Sequence, residues 1–238
     1  EKYIEESKSV KRHLSRYAAR NHYGSGGVFY DWENIHVMNK SPHLSNKIRY
    51  IQKIYPTAKF VVIIRSLEGQ VASMKMHFEK QHKSEDYTFF LPEDESACWT
   101  NIQGKIDSNY SKERLFPGNF NLLPEAWLRL NKMILEDLKH VPEKNKVVLS
   151  YEKLMNKQET QLKRVFDFLA LKQKHQVKVD SIIKKKRKIH NTTTTGNPLN
   201  KWKKYLSNQE IKNLEAFKER NKKLIDLVNN SFLSLIHI

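Results

Sequence analysis

Residues 56–65 read Pro56-Thr57-Ala58-Lys59-Phe60-Val61-Val62-Ile63-Ile64-Arg65. The uninterrupted apolar run after Pro56 is rich in β-branched residues and predicts a strand buried on both faces, as in a parallel sheet. A second run of this kind, Lys146-Val147-Val148-Leu149-Ser150-Tyr151, predicts another buried strand. Helical patterns alternate with these two runs. The order predicts an α/β fold in which a mainly parallel sheet is flanked by helices.

The predicted helices follow from apolar residues at helical spacing, and the last begins at a capping-box pattern of Ser207 and Glu210. Their ranges are 3–23, 44–55, 68–81, a segment through Trp127 and Leu138, a segment from Leu162 to Leu169, and a segment from Ser207 through Phe217. Gly24-Ser25-Gly26-Gly27 ends the first. Residues 82–118 are polar, contain two prolines, and predict a long irregular loop that serves as a lid or substrate segment.

The composition narrows the class of protein. The 238 residues carry a formal net charge of +17, which points to polyanionic partners without choosing among them. Cys98 is the only cysteine, so the chain is not a disulfide-built secreted module, and no apolar stretch is long enough to span a membrane. We predict a single domain over residues 1–232. Residues 233–238 resemble a translated sequencing adapter and are left out of the fold prediction.

Polar side chains follow both predicted strands at their carboxyl ends, where ligands bind in open α/β sheets. Arg65 follows the first strand, and Tyr151-Glu152 follows the second. Ser73 lies eight residues after Arg65, on the next predicted helix. An arginine fork, a hydroxyl and a helix N-terminus can converge on one phosphate, so the spacing predicts an anion site.

Four segments, taken in order, resemble the sulfotransferase family. Residues 56–65 with Ser73 are similar to the segment that binds the 3'-phosphate of the sulfonate donor. Residues 147–154 resemble a later strand that ends in Tyr-Glu-x-Leu, and a helix ending in Phe168-Leu169 follows. The other two segments are Asn39-Lys40-Ser41-Pro42, which resembles a Lys-Ser-Pro stretch, and Lys201-Trp202-Lys203, which resembles a Gly-x-Trp-Lys stretch near the donor. The resemblance covers residues 40 to 214.

The resemblance implies a P-loop-NTPase-like fold and sulfonate transfer from 3'-phosphoadenosine 5'-phosphosulfate to a hydroxyl or amine acceptor. It implies that Arg65 and Ser73 hold the 3'-phosphate and that Tyr151 lies near the nucleoside. Lys40 would face the sulfonate or the acceptor. His43 is the candidate general base, and a glutamate upstream of Glu1 is the alternative.

Two departures from the family pattern stand out. The family places Asp or Asn and then Pro after the arginine, where this chain has Ser66 and Leu67. The Pro-Lys-Ser-Gly-Thr-Thr-like loop that cradles the 5'-phosphosulfate is missing from the sequence. We therefore expect a fragment that lacks its N-terminal phosphate-loop segment and that does not transfer sulfonate by itself.

The remaining expectations concern metals, compartment and partners. No His and Cys spacing suits a metal, and none is predicted. Asn39-Lys40-Ser41 is a glycosylation sequon that contains the candidate catalytic lysine. A glycan there would obstruct the site, so the sequon favours a cytoplasmic location, where it is not glycosylated. A Golgi-type anchor upstream of Glu1 is the alternative. The acceptor is a small molecule or a glycan, and nucleic acid is not the expected partner. A nucleic-acid-binding module, suggested by the run Lys184–Lys188, and a P-loop-fold kinase remain alternatives.

Overall fold

The computed structural model describes residue 38, residues 44–170, residue 197 and residues 199–236. The chain divides into two compact units, Glu1–Leu44 and Ser45–Ile238. Every element below belongs to the second unit. Three features of the sequence analysis lie outside the described residues: the predicted helix over 3–23, the glycine-rich break after it, and the Lys184–Lys188 run.

The secondary structure alternates between strands and helices, with two short 3-10 turns, Lys112–Arg114 and Glu143–Asn145. The described strands are β1 (Phe60–Ile64), β2 (Tyr87–Phe90), β3 (Thr100–Gln103), β4 (Leu115–Phe116) and β5 (Lys146–Ser150). The described helices are α1 (Ile48–Ile54), α2 (Leu67–Glu85), α3 (Leu122–Lys139), α4 (Tyr151–Asn156), α5 (Gln158–Phe168), α6 (Trp202–Tyr205), α7 (Asn208–Arg220) and α8 (Lys222–Ile236).

Strands β1 and β5 pair in parallel, with Phe60 opposite Lys146 and Ile64 opposite Ser150. Helices α2 and α3 lie between them in the sequence and supply the crossover that a parallel pair requires. This confirms the predicted α/β architecture of a parallel sheet flanked by helices. The register also brings the two carboxyl ends level, so that the residues after Ile64 and Ser150 emerge side by side.

The core lies where the helices bury their apolar stripes against one face of this sheet. Val62 and Val148 contribute from the strands. Helices α2, α3 and α8 contribute side chains at helical spacing, among them Val71, Phe78, Leu123, Trp127, Leu138, Val228 and Phe232. Helix α7 begins at the predicted capping box: Ser207 Oγ accepts from the N–H of Glu210, and Glu210 Oε2 accepts from the N–H of Ser207.

The prediction that the first strand is buried on both faces is wrong. Val61 and Ile63 are 40% and 52% exposed, whereas Phe60, Val62 and Ile64 pack against the core. The strand is apolar on both faces, but only one face of β1 lies against the core that α2 and α3 build. A continuous apolar run indicated the strand correctly and overstated its burial.

The prediction of an irregular loop over residues 82–118 is also wrong. Helix α2 continues to Glu85, and β2 then pairs antiparallel with both β3 and β4 in the order β3-β2-β4. The run Tyr87-Thr88-Phe89-Phe90 is aromatic and β-branched, and Phe89 packs on Phe78 of α2 with a centroid distance of 4.5 Å. That contact with α2 gives the short strands a buried face.

Two arginines, Arg129, which is buried, and Arg114, which is partly buried, hold the turn between β2 and β3. Arg129 donates to the carbonyl oxygens of Pro92, Asp94 and Ala97, and Arg114 donates to those of Leu91 and Pro92. Both arginines also bind the carboxylate of Glu125. Arg114, one of the polar residues that suggested a loop, thus satisfies backbone carbonyls inside a folded segment. Within the described residues, no helix has the length and apolarity needed to cross a membrane.

Candidate functional site: the anion site at the strand ends

Arg65 and Tyr151 meet where β1 and β5 end. Arg65 is the first residue after β1, and Tyr151 opens α4 directly after β5. The guanidinium carbon of Arg65 lies 4.5 Å from the centroid of the Tyr151 ring, the geometry of a cation–π contact. When arginine stacks on an aromatic ring, the face of its guanidinium lies against the ring, and its N–H groups point away along the guanidinium plane. The structure therefore brings together two of the residues predicted for the site.

A carboxylate joins the two strand ends beneath this pair. Glu152 Oε1 accepts the backbone N–H of Ser66 at 3.0 Å, and Glu152 Oε2 accepts the hydroxyl of Ser150 at 3.1 Å. Ser150 Oγ in turn accepts the N–H of Lys153 and caps α4. The sequence identified Glu152 only as part of a motif, and its role as a bridge depends on the strand register.

Helix α2 begins against the arginine. Ser66 caps the helix, its Oγ accepting the N–H of Gly69 at 3.3 Å. A β-carbon with ideal geometry on Gly69 would lie 2.8 Å from Nε of Arg65 and 2.9 Å from Oγ of Ser66. The missing side chain at Gly69 thus lets Arg65 lie on the first turn of the helix, a role that sequence reasoning missed.

Ser73, the other predicted phosphate ligand, is a half-buried residue of α2. It lies four residues after Gly69, on the same helix face and about 6 Å farther along the axis. Arg65 covers that face at Gly69. Arg65 and Ser73 therefore lie along one face of α2, and their sharing of a phosphate stays a prediction.

The backbone of Arg65 is also held. Trp127 of α3, which is 3% exposed, donates from Nε1 to the carbonyl oxygen of Arg65 at 3.1 Å. Burial lowers the pKa of the Arg65 guanidinium, whereas Tyr151 and Glu152 act to raise it. The guanidinium remains charged, because arginine does not lose its proton in proteins.

Lys201 brings a second positive charge to the site. It directly precedes α6 and is only 9% exposed. Burial lowers the pKa of Lys201, and the charge of Arg65 lowers it further, which places the two cations within electrostatic reach. Lys75 of α2 fixes the following segment, donating to Tyr205 O at 3.2 Å and to Glu210 Oε2 at 3.0 Å. In the sequence, only the Lys201-Trp202-Lys203 stretch pointed to Lys201.

The two predicted catalytic residues, Lys40 and His43, lie outside the described residues, and their roles stay predictions. Among residues that the structure describes, no group of three or more His, Cys, Asp or Glu side chains could hold a metal ion.

Comparison with known families shows the family of this chain. A model described as the sulfotransferase family matches residues 6–175, which is more than half of the 238 residues. The chain belongs to the sulfotransferase family, and the fold is the P-loop-like α/β fold of that family. Its members are transferases that move sulfonate groups. Searches of curated proteins and of solved structures return no match.

Proposed function

We propose that the enzyme to which this sequence belongs transfers a sulfonate group from 3'-phosphoadenosine 5'-phosphosulfate to a hydroxyl or amine acceptor. One observation carries the proposal: the Arg65 guanidinium, stacked on Tyr151, lies on the first turn of α2 at the carboxyl ends of two parallel strands. A charged fork of donors beside a helix N-terminus suits a phosphate, and the adjacent aromatic ring suits a nucleoside.

In this proposal the 3'-phosphate of the donor binds between Arg65 and Ser73. Lys201 adds a second positive charge, which suits a terminal phosphate that carries nearly two negative charges. Bringing two cations together in a partly buried site costs free energy, and a bound dianion offsets that cost. Tyr151 packs one face of its ring on the arginine and lies near the nucleoside.

Lys40 and His43 act on the reacting groups. The acceptor oxygen or nitrogen attacks the sulfur, a new bond to sulfur forms, and the bond from sulfur to the 5'-phosphate oxygen breaks. His43 takes the proton of the acceptor, and adenosine 3',5'-bisphosphate leaves with the electron pair of the broken bond. Lys40 balances negative charge on the sulfonate oxygens. The acceptor is a small molecule or a glycan, and the basic composition suits an anionic one.

The test is calorimetric titration with adenosine 3',5'-bisphosphate. Arg65→Ala should weaken binding by roughly tenfold or more, because a lost hydrogen bond to a charged group costs about 1.5–3 kcal/mol. Arg220→Ala is the matched control, since Arg220 is an exposed arginine that binds its own helix at Ala216 O. An Arg65→Ala protein that is folded and binds with wild-type affinity would remove the basis of the proposal.

The net charge of +17 also favours a second candidate, a nucleic-acid-binding module. The two candidates differ in their preferred ligand. Titrating duplex DNA and adenosine 3',5'-bisphosphate side by side at physiological salt separates them. If DNA binds more tightly than the bisphosphate, and if Arg65→Ala leaves DNA binding unchanged, the result would favour the nucleic-acid-binding module. A P-loop-fold kinase would instead require ATP and magnesium.

A further inference from the structure

We propose that Glu152 is a positioning residue for the phosphate-binding arginine: its carboxylate joins the ends of β1 and β5 and so fixes Arg65 over Tyr151. This inference rests on the proposed function of Arg65. It assigns Glu152 a task in recognising the 3'-phosphate, and Glu152 itself does not contact the ligand.

The two hydrogen bonds of Glu152 end beside Arg65 and beside Tyr151. One reaches the N–H of Ser66, the residue after Arg65, across 86 residues of sequence. The other reaches the hydroxyl of Ser150, the residue before Tyr151. Each anchor is thus a direct chain neighbour of one member of the Arg65–Tyr151 pair. A change in the carboxylate must be transmitted to the relative position of that pair.

The strand ladder does not provide this connection by itself. The β1–β5 pairing ends at Ile64 opposite Ser150, so Arg65 and Tyr151 lie one residue beyond it. At this point β1 turns into α2, where Ser66 caps the helix, and β5 turns into α4, where Ser150 caps the helix. Glu152 therefore adds a hydrogen-bonded link between two helix starts, beyond the ladder behind them and the Arg65–Tyr151 contact.

Glu152 should affect phosphate binding in two ways that can be separated. Its negative charge works against anion binding, whereas its hydrogen bonds favour binding by positioning Arg65. A carboxylate near the site repels a phosphate, so removing the charge alone should leave affinity unchanged or raise it. Breaking the tie should lower affinity because Arg65 loses its fixed position. A role in positioning and a role as a mere neighbouring charge therefore predict opposite signs.

Two near-isosteric variants separate these effects. Glu152→Gln removes the charge but keeps the tie, since its amide oxygen can accept from Ser66 and its amide NH₂ can donate to Ser150 Oγ. Glu152→Asp keeps the charge but is one methylene shorter and cannot span both donors. The same two substitutions at Glu159, an exposed carboxylate in the first turn of α5, serve as controls.

The measurement is calorimetric affinity for adenosine 3',5'-bisphosphate and for adenosine 5'-monophosphate, which lacks the 3'-phosphate. Urea unfolding of each variant monitors stability. We expect Glu152→Asp to weaken bisphosphate binding roughly fivefold, the effect of about one net hydrogen bond, with monophosphate binding nearly unchanged. Glu152→Gln should bind the bisphosphate as tightly as wild type or more tightly. In an Arg65→Ala background, Glu152→Asp should cause no further loss.

Three results would overturn the inference. One is a Glu152→Asp protein with wild-type bisphosphate affinity. Another is an equal loss for both nucleotides, which indicates general damage to the fold. The third is an undiminished loss in the Arg65→Ala background. If Arg65→Ala alone leaves bisphosphate affinity intact, the proposed phosphate site fails, whatever the Glu152 variants show.

Discussion

Replacing Gly69 with alanine should have opposite consequences for the helix and for the site. Alanine is favoured over glycine within a helix by about 1 kcal/mol. Here, however, the new methyl group would lie 2.8 Å from Nε of Arg65 and 2.9 Å from Oγ of Ser66, well inside the normal contact distance of about 3.5 Å. We therefore expect the Arg65 side chain to move away from Gly69 and the cap from Ser66 to shift.

Gly69→Ala should change the stability of the protein little and its affinity for the phosphate much more. Disturbing an N-cap costs about 1 kcal/mol, which roughly cancels the helix gain, so the free energy of unfolding should change by less than about 1 kcal/mol. Displacing Arg65 removes a charge-assisted contact with the phosphate worth about 1.5–3 kcal/mol. Gly69→Ala should therefore weaken adenosine 3',5'-bisphosphate binding by roughly tenfold or more in a protein of near-normal stability.

The assay pairs calorimetric titration with urea unfolding. Ser84→Ala, at the exposed far end of the same helix, is the control and should leave affinity unchanged. In an Arg65→Ala background, Gly69→Ala should cost no further affinity, because the side chain that it displaces is gone. Wild-type affinity in the Gly69→Ala protein would refute the placement of Arg65 on this turn as the binding conformation.

Three further predictions concern Lys201 and the general base. Lys201→Met should weaken bisphosphate binding roughly tenfold and monophosphate binding much less, by calorimetry. Burial and the charge of Arg65 lower the pKa of Lys201 in the folded protein. Between this lowered pKa and the ordinary value of about 10.4, the unfolded chain therefore binds more protons than the folded protein does. Urea unfolding should therefore show wild type gaining stability relative to Lys201→Met as the pH rises through this window, and an opposite trend would contradict the burial of a charged lysine. In a sulfonate-transfer assay of active enzyme, His43→Ala should lower turnover by about 100-fold or more, whereas near-normal turnover would assign the base to another residue.

Local patterns in the sequence were sufficient for most of the elements. The apolar runs after Pro56 and at Lys146 predicted β1 and β5, and the Ser207–Glu210 pattern predicted the start of α7. These signals succeed because a strand or a helix cap depends on neighbours in the chain. The family pattern also predicted Arg65 and Tyr151 as site residues, and the structure places these two side chains in contact.

Segments that depend on distant partners were predicted less well. Within residues 82–118, the run Tyr87–Phe90 has the composition of a strand. What stabilises it as a strand is its pairing with β3 and β4 and its contact with Phe78, none of which is visible in the local sequence. The exposure of Ile63 likewise could not be read from an apolar run. Burial depends on which elements cover a face, and that information is not local.

The sequence by itself thus determined the class of fold and the two parallel strands, and it predicted the arginine that follows the first of them. The tertiary structure decided how that arginine is held: by the ring of Tyr151, the bridge of Glu152 and the open space above Gly69. The reason is the parallel register of β1 and β5, which sets Ile64 beside Ser150. Only that pairing makes neighbours of side chains that are 86 residues apart.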